Sequence, residues 1–308
     1  MAAAQRTPPR STSHFDSRTL TALRGLDLKA RYLVEGFLQG MHESPYHGIS
    51  VEFSEYREYQ PGDDLRHLDW QLYARSDRLY VKQYTEETNV RLYIVCDTSA
   101  SMSYRGQDAW ASKLDAARTL AAALTWMLLR QNDAVGLLSL HEDLQSADFI
   151  SPSQKPSQFG LLVRHLEGLQ PAGGPRLATL LEHATRLVHR RSIILLFSDL
   201  LEPAESIVTM LRHLRFLGHE CLVFHILDRD ETEFPFGRSS VFEGLETGVR
   251  RHVSPQAARQ RYLERFGAFM DQHREEFRAL EMPYCLIETH KDPWEALAMF
   301  LAERKRML

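Results

Sequence analysis

A doubly wound α/β fold with a mostly parallel central sheet is the class this sequence predicts. Two apolar runs, Leu92-Tyr93-Ile94-Val95-Cys96 and Ile193-Ile194-Leu195-Leu196-Phe197, have the length and composition of strands buried on both faces. Each run leads into an aspartate, Asp97 and Asp199. Segments of helical periodicity alternate with these and further apolar runs, the order expected of parallel strands joined by crossover helices.

Residues 1–14, with Pro8, Pro9 and several Ser, Thr and Arg, offer no apolar face and read as a disordered tail. Leu28, Tyr32, Leu33, Phe37 and Leu38 mark an amphipathic helix over 26–41. Val51 to Tyr59 alternates like a half-exposed strand, Pro61-Gly62-Asp63 turns the chain, and Leu79 to Tyr84 returns. Residues 15–88 are therefore expected to form a helix and a small β element, ahead of an α/β domain over 89–308. In that domain Ser112-x-x-Asp115 resembles a capping box, and Leu114, Ala117, Ala121, Leu124 and Leu128 give the helix behind it one apolar face. Then come a strand at 133–140, a short edge strand at 148–150, helices at 156–168 and 177–189, a strand at 192–198, a helix at 203–217 and a strand at 220–227. After Asp228 the alternation breaks, and a hairpin excursion is expected over about 229–254. Ser254-Pro255 supplies an N-cap and a first-turn proline to a long helix with Tyr262, Phe266, Phe269, His273, Phe277 and Leu280 on one face. A strand at 284–287 and a helix from Pro293 close the chain.

Composition narrows the function. The 308 residues are 44% hydrophobic, enough for a sizeable core. A net charge of −4 and a pI near 6.4 give no global basicity to attract nucleic acid. No apolar stretch reaches the roughly 18 residues of a membrane span, and the N-terminus has no signal-peptide core. The three cysteines, Cys96, Cys221 and Cys285, each fall inside an expected strand without C-x-x-C spacing, so small buried thiols in a reducing compartment are expected. The expectation is a cytoplasmic protein.

Asp97-Thr98-Ser99-Ala100-Ser101 is the chemical centre of the sequence. A carboxylate and two hydroxyls at i, i+2 and i+4 converge at the carboxyl end of a buried strand, where ligands of such sheets bind. Hard oxygens in that number suit magnesium, with Asp199 beside them from a second strand end. The competing reading is an ordinary turn in which Asp97 caps the backbone and the serines bond locally.

With these residues in place the chain resembles the von Willebrand factor A domain, whose metal-ion-dependent adhesion site begins with D-x-S-x-S and includes a later aspartate. Further segments narrow the likeness: Gly48-Ile49-Ser50-Val51-Glu52-Phe53, Tyr56-Arg57-Glu58-Tyr59, Pro61-Gly62-Asp63-Asp64-Leu65-Arg66, Leu68-Asp69-Trp70, Ala74-Arg75, Leu79-Tyr80-Val81-Lys82 and Phe242-Glu243-Gly244-Leu245-Glu246-Thr247-Gly248. From about Leu28 to Leu301 the chain is similar to the bacterial family catalogued as domain of unknown function fifty-eight. That resemblance implies a von Willebrand A-like domain, Ser99 and Ser101 bound to the ion directly, Asp97 and Asp199 bound through water, and a partner's carboxylate completing the octahedron. It also implies a MoxR-type AAA+ ATPase as partner, in chaperone-like assembly. One loop departs from the pattern. Where the resemblance expects a threonine ligand, the sequence reads Gly173-Gly174-Pro175-Arg176. Proline offers neither hydroxyl nor N–H, and Arg176 brings a positive charge, so low metal occupancy is expected. Arg176 is instead expected to hold an anion or to pair with Asp97 or Asp199, which makes Asp97, Arg176 and Asp199 the partner-binding candidates.

Other features carry less. Arg57, Asp63, Asp64, Arg66, Asp69, Arg75 and Arg78 lie among Tyr56, Tyr59, Trp70 and Tyr73, either a recognition surface or an internal network, and the alternating signs favour the network. The fourteen histidines lack helical metal-pair spacing, and His141 is the one topology brings toward Asp97. There is no P-loop and no G-x-S-x-G elbow. The primary expectation is a non-enzymatic protein-binding adaptor. The alternatives are a magnesium-dependent phosphohydrolase using Asp97 and Asp199, and nucleic-acid binding through the arginines of 57–78 and the tail.

Overall fold

The computed structural model describes residues 17–43, 56–58, 80–82, 90–140, 147–172, 177–237 and 240–307. Helices α1 (Ser17–Ala22) and α2 (Leu26–Glu43) come first, then strands β1 (Tyr56–Glu58) and β2 (Tyr80–Lys82), which pair antiparallel. The main domain runs β3 (Arg91–Cys96), α3 (Lys113–Arg130), β4 (Ala134–Leu140), β5 (Ala147–Ser153), α4 (Ser157–Gly168), α5 (Leu177–Leu187), β6 (Ile193–Ser198), α6 (Ala204–Phe216) and β7 (Glu220–Leu227). It ends with α7 (Arg229–Glu233), β8 (Ser240–Glu243), β9 (Arg250–Val253), α8 (Pro255–Ala279), β10 (Tyr284–Glu288) and α9 (Trp294–Met307).

Six strands make the central sheet in the order β10-β7-β6-β3-β4-β5, parallel except for β5. The expected doubly wound α/β class is what the structure shows. On one face Val95, Leu138, Ile194, Leu196 and Val223 pack against Leu180 and Leu181 of α5, Ile207 and Leu211 of α6, and Phe277 of α8. On the other, α3 lies between the sheet and α2. Its sequence looked amphipathic, yet Ala116, Ala117, Leu120, Ala121, Ala122, Ala123, Leu124 and Leu128 are all buried. The second cover, α2, is the reason, and the run of alanines keeps α3 slender enough for both neighbours.

The chain divides into two units. Helix α2 belongs with the unit from Val90 onward, and residues 44–89 form a second unit, of which β1 and β2 are described. The expected tail over 1–14 and most of the block 56–78 lie outside the described residues.

Two elements exceed the sequence reading. Edge strand β5 runs to Ser153 rather than ending at 150, and Pro152 is tolerated there because an edge position needs no donor on its open side. Helix α7 was not expected. Asp228 caps it, with the Glu231 side chain returning to the Asp228 N–H in a reciprocal capping box. The hairpin β8–β9 follows it. All three cysteines are buried in strands, as expected. Among the described residues no helix is long and apolar enough to cross a membrane.

Candidate functional site

Strands β3 and β6 are in-register neighbours, with Cys96 opposite Phe197, so both chains leave the sheet at the same end. The Asp97 amide extends the ladder by one bond to the Phe197 carbonyl, 2.9 Å. Asp97 is 2% exposed. Its Oδ1 accepts the Ser99 amide at 2.8 Å, and its Oδ2 accepts the Ser198 hydroxyl at 2.6 Å. The chain then winds into a short 3₁₀ helix, Ala100–Ser103, which brings the Ser99 and Ser101 hydroxyls to 3.1 Å. Burial, and then the charge of Asp199, hold the Asp97 carboxyl above the usual carboxylate range.

Asp199 is fixed from three directions. Its Oδ2 receives Lys113 Nζ at 2.7 Å, its Oδ1 accepts the Leu201 amide at 3.3 Å, and its carbonyl accepts His225 Nε2 at 2.8 Å. A ring nitrogen facing a carbonyl must donate, so neutral His225 accepts the Tyr284 hydroxyl at Nδ1, 2.7 Å away. Burial pushes the His225 imidazole down to about 3. Lys113, the first residue of α3, is 0% exposed and also reaches Glu231 Oε1 at 2.6 Å. Burial works against its charge, but Asp199 and Glu231 more than offset that and hold the ammonium above its ordinary value.

The hairpin contributes a further carboxylate. Phe242 of β8 stacks on Phe234 at 5.7 Å and meets Phe236 edge-on at 5.0 Å; Phe234 in turn packs on Tyr262 of α8. At the hairpin tip the Gly248 amide bonds the Gly244 carbonyl, and Gly248 sits at φ 66°, a conformation that suits glycine. From this turn Glu246 Oε1 accepts the Ser101 amide at 2.8 Å.

On the remaining side, the Ala172 amide bonds the Thr98 carbonyl at 2.8 Å, which starts the loop toward α5 beside the serines. Glu202 accepts the Leu177 and Ala178 amides where that helix begins. Pro175, Arg176 and His141 lie outside the described residues.

The structure thus brings Asp97, Ser99, Ser101 and Asp199 to one end of the sheet. Among the described residues no three carboxylate, imidazole or thiol groups cluster as a metal site, and Lys113 takes one Asp199 oxygen; the two serine hydroxyls and the two carboxylates are oxygen donors of the kind magnesium takes. Octahedral Mg–O bonds of about 2.1 Å separate adjacent ligands by about 3 Å, close to the serine spacing. Lys113 was missed in the sequence because it looks like a solvated first-turn residue, and Glu231 because its helix was missed. Ser198 was visible as the residue before Asp199. Glu246 was in view only as part of a family signature, with no sign of where it reached.

A mostly parallel α/β domain with polar side chains gathered at its strand ends is the class these observations define. Residues 55–276 match the family described as "Protein of unknown function DUF58", and the chain belongs to it. Similar curated proteins are the uncharacterized protein Rv1480 of Mycobacterium tuberculosis and the uncharacterized protein Mb1516 of Mycobacterium bovis. Each is 28% identical over 302 residues, covering 94% of this chain and 91% of the relative. Solved structures with a similar chain course include the conserved hypothetical protein BatB from Bacteroides thetaiotaomicron, with a TM-score of 0.42 and 15% identity, over 71% of this chain and 100% of that one. The SpRpn10 VWA domain has a TM-score of 0.40 and 11% identity, over 68% and 93%.

Proposed function

We propose that this chain is a non-enzymatic, protein-binding adaptor that reads a partner at the carboxyl end of its sheet. The observation that carries this is how the groups there are held. Lys113 is gripped by two carboxylates, His225 by a carbonyl and a hydroxyl, and Asp97 by an amide and a hydroxyl. Such a site is a fixed pattern for recognition; turnover needs a nucleophile beside a base free to take its proton.

In this reading Asp97, Ser99, Ser101 and Asp199 would hold a magnesium ion, which would supply positive charge for a partner's carboxylate. The Lys113 ion pair occupies one Asp199 oxygen, and Pro175 cannot add a hydroxyl, so binding is weak. This reading assigns the partner contact to Asp97, Arg176 and Asp199. The partner suggested by the family resemblance is a MoxR-type AAA+ ATPase, in chaperone-like assembly in the cytoplasm. The competing reading, a magnesium-dependent phosphohydrolase using Asp97 and Asp199, is separated by assay: a panel of phosphate monoesters and diesters with magnesium should give no turnover. Hydrolysis lost in Asp97→Asn would establish the phosphohydrolase instead.

A further inference from the structure

We propose that Glu246 occupies, in cis, the place that an acidic side chain of a partner takes, so that the hairpin tip closes the strand-end site until such a group displaces it. This rests on the adaptor reading above, which already gives the partner an acidic group, and adds a built-in occupant of the site.

The contact joins residues 145 positions apart, between a hairpin and the turn after the first strand of the central sheet. Ser101 is 7% exposed, so its amide needs an acceptor, and the Glu246 carboxylate supplies it. The Ser99 and Ser101 hydroxyls lie on the same turn and hydrogen-bond each other. One proton serves that bond, which leaves the second hydroxyl proton for an acceptor arriving at the same place. An amide and a spare hydroxyl donor on one turn suit a carboxylate, and no neutral group is drawn to them as strongly.

The hairpin is built to deliver this one acid. Its other carboxylate at the tip end, Glu243, is paired within the hairpin to Arg250 at 2.9 Å. Glu246 has no ion-pair partner among the described residues, and its side chain reaches across to Ser101. The Phe242 ring anchors the hairpin base, while Leu245 and Val249 beside Glu246 are 46% and 51% exposed. A tip with so little packed against it is held chiefly by its hydrogen bond, so a competing carboxylate can replace it without unfolding the anchor.

The test uses the full chain and its own hairpin as the probe. A cyclic peptide of residues 240–253, whose ends are register partners, is labelled and titrated against native protein and Glu246→Ala. Hydrogen exchange at the Ser101 amide is measured in both proteins. Glu246→Ala should leave the thermal midpoint unchanged, speed Ser101 exchange about tenfold, and bind the peptide at least tenfold more tightly than native protein does. A peptide with Gln in place of Glu246 should not bind. Unchanged Ser101 exchange, equal peptide binding by the two proteins, or equal binding of the Gln peptide would each overturn the proposal. Failure of the adaptor reading would show elsewhere, as partner capture indifferent to Asp97.

Discussion

Lys113 and Asp199 form an ion pair that solvent does not reach: Nζ lies 2.7 Å from Oδ2, and the two side chains are 0% and 2% exposed. The same ammonium binds Glu231 of α7, so one residue ties the first helix of the domain to a strand end and to the helix after β7.

Removing this cation should cost far more than a surface ion pair would. Lys113→Met leaves Asp199 buried without its counter-charge, a loss of about 3–5 kcal/mol in unfolding free energy. Urea denaturation measures it. A loss below about 1 kcal/mol would mean that water or a neighbour compensates the carboxylates.

Acid should act through His225. Its folded pKa is about 3 against an ordinary 6.5, so below pH 6.5 the unfolded chain takes up a proton that the native ring refuses. The stability this residue contributes is therefore present above pH 6.5 and lost as pH falls toward 3, by up to about 1.4 kcal/mol per pH unit. His219 and His273, also lowered by burial, act in the same direction. Asp97 acts oppositely: its raised pKa favours the native state in acid, an advantage lost as pH rises. The difference between native protein and His225→Gln isolates the histidine. That gap in unfolding free energy should narrow as pH drops from 6.5 to 4, and a constant gap would contradict the assignment.

The parallel core was legible because buried strands such as Ile193–Phe197 are continuous apolar runs, and the two strand-end aspartates, Asp97 and Asp199, followed from them. Lys113 was not legible, since a lysine at a helix start is ordinarily solvated and only tertiary packing buries it. Helix α7 escaped because five residues carry too little periodicity, although Asp228 and Glu231 spell its capping box. The Glu246–Ser101 contact joins segments 145 residues apart, a pairing no local pattern encodes.

Gly136 should tolerate no side chain. A Cβ there would lie 2.5 Å from the Ile150 carbonyl and 2.9 Å from the Pro152 nitrogen, backbone atoms of β5 beside the register shift between Val135 and Leu137. Gly136→Ala should destabilise the protein by about 1–3 kcal/mol and speed amide exchange along β5 more than along β6. Equal protection of β5 in both proteins would show that the edge pair adapts.

The central claim is that the strand ends bind a partner, and affinity capture from native lysate with magnesium tests it most directly. Native protein and Asp97→Asn are compared at matched thermal midpoints, and the proposed AAA+ ATPase partner is quantified in each eluate by mass spectrometry. Loss of one member of a buried polar contact costs about 2–5 kcal/mol, so Asp97→Asn should lower the affinity roughly 30-fold or more. Recovery of the ATPase by Asp97→Asn at the native level would contradict the account.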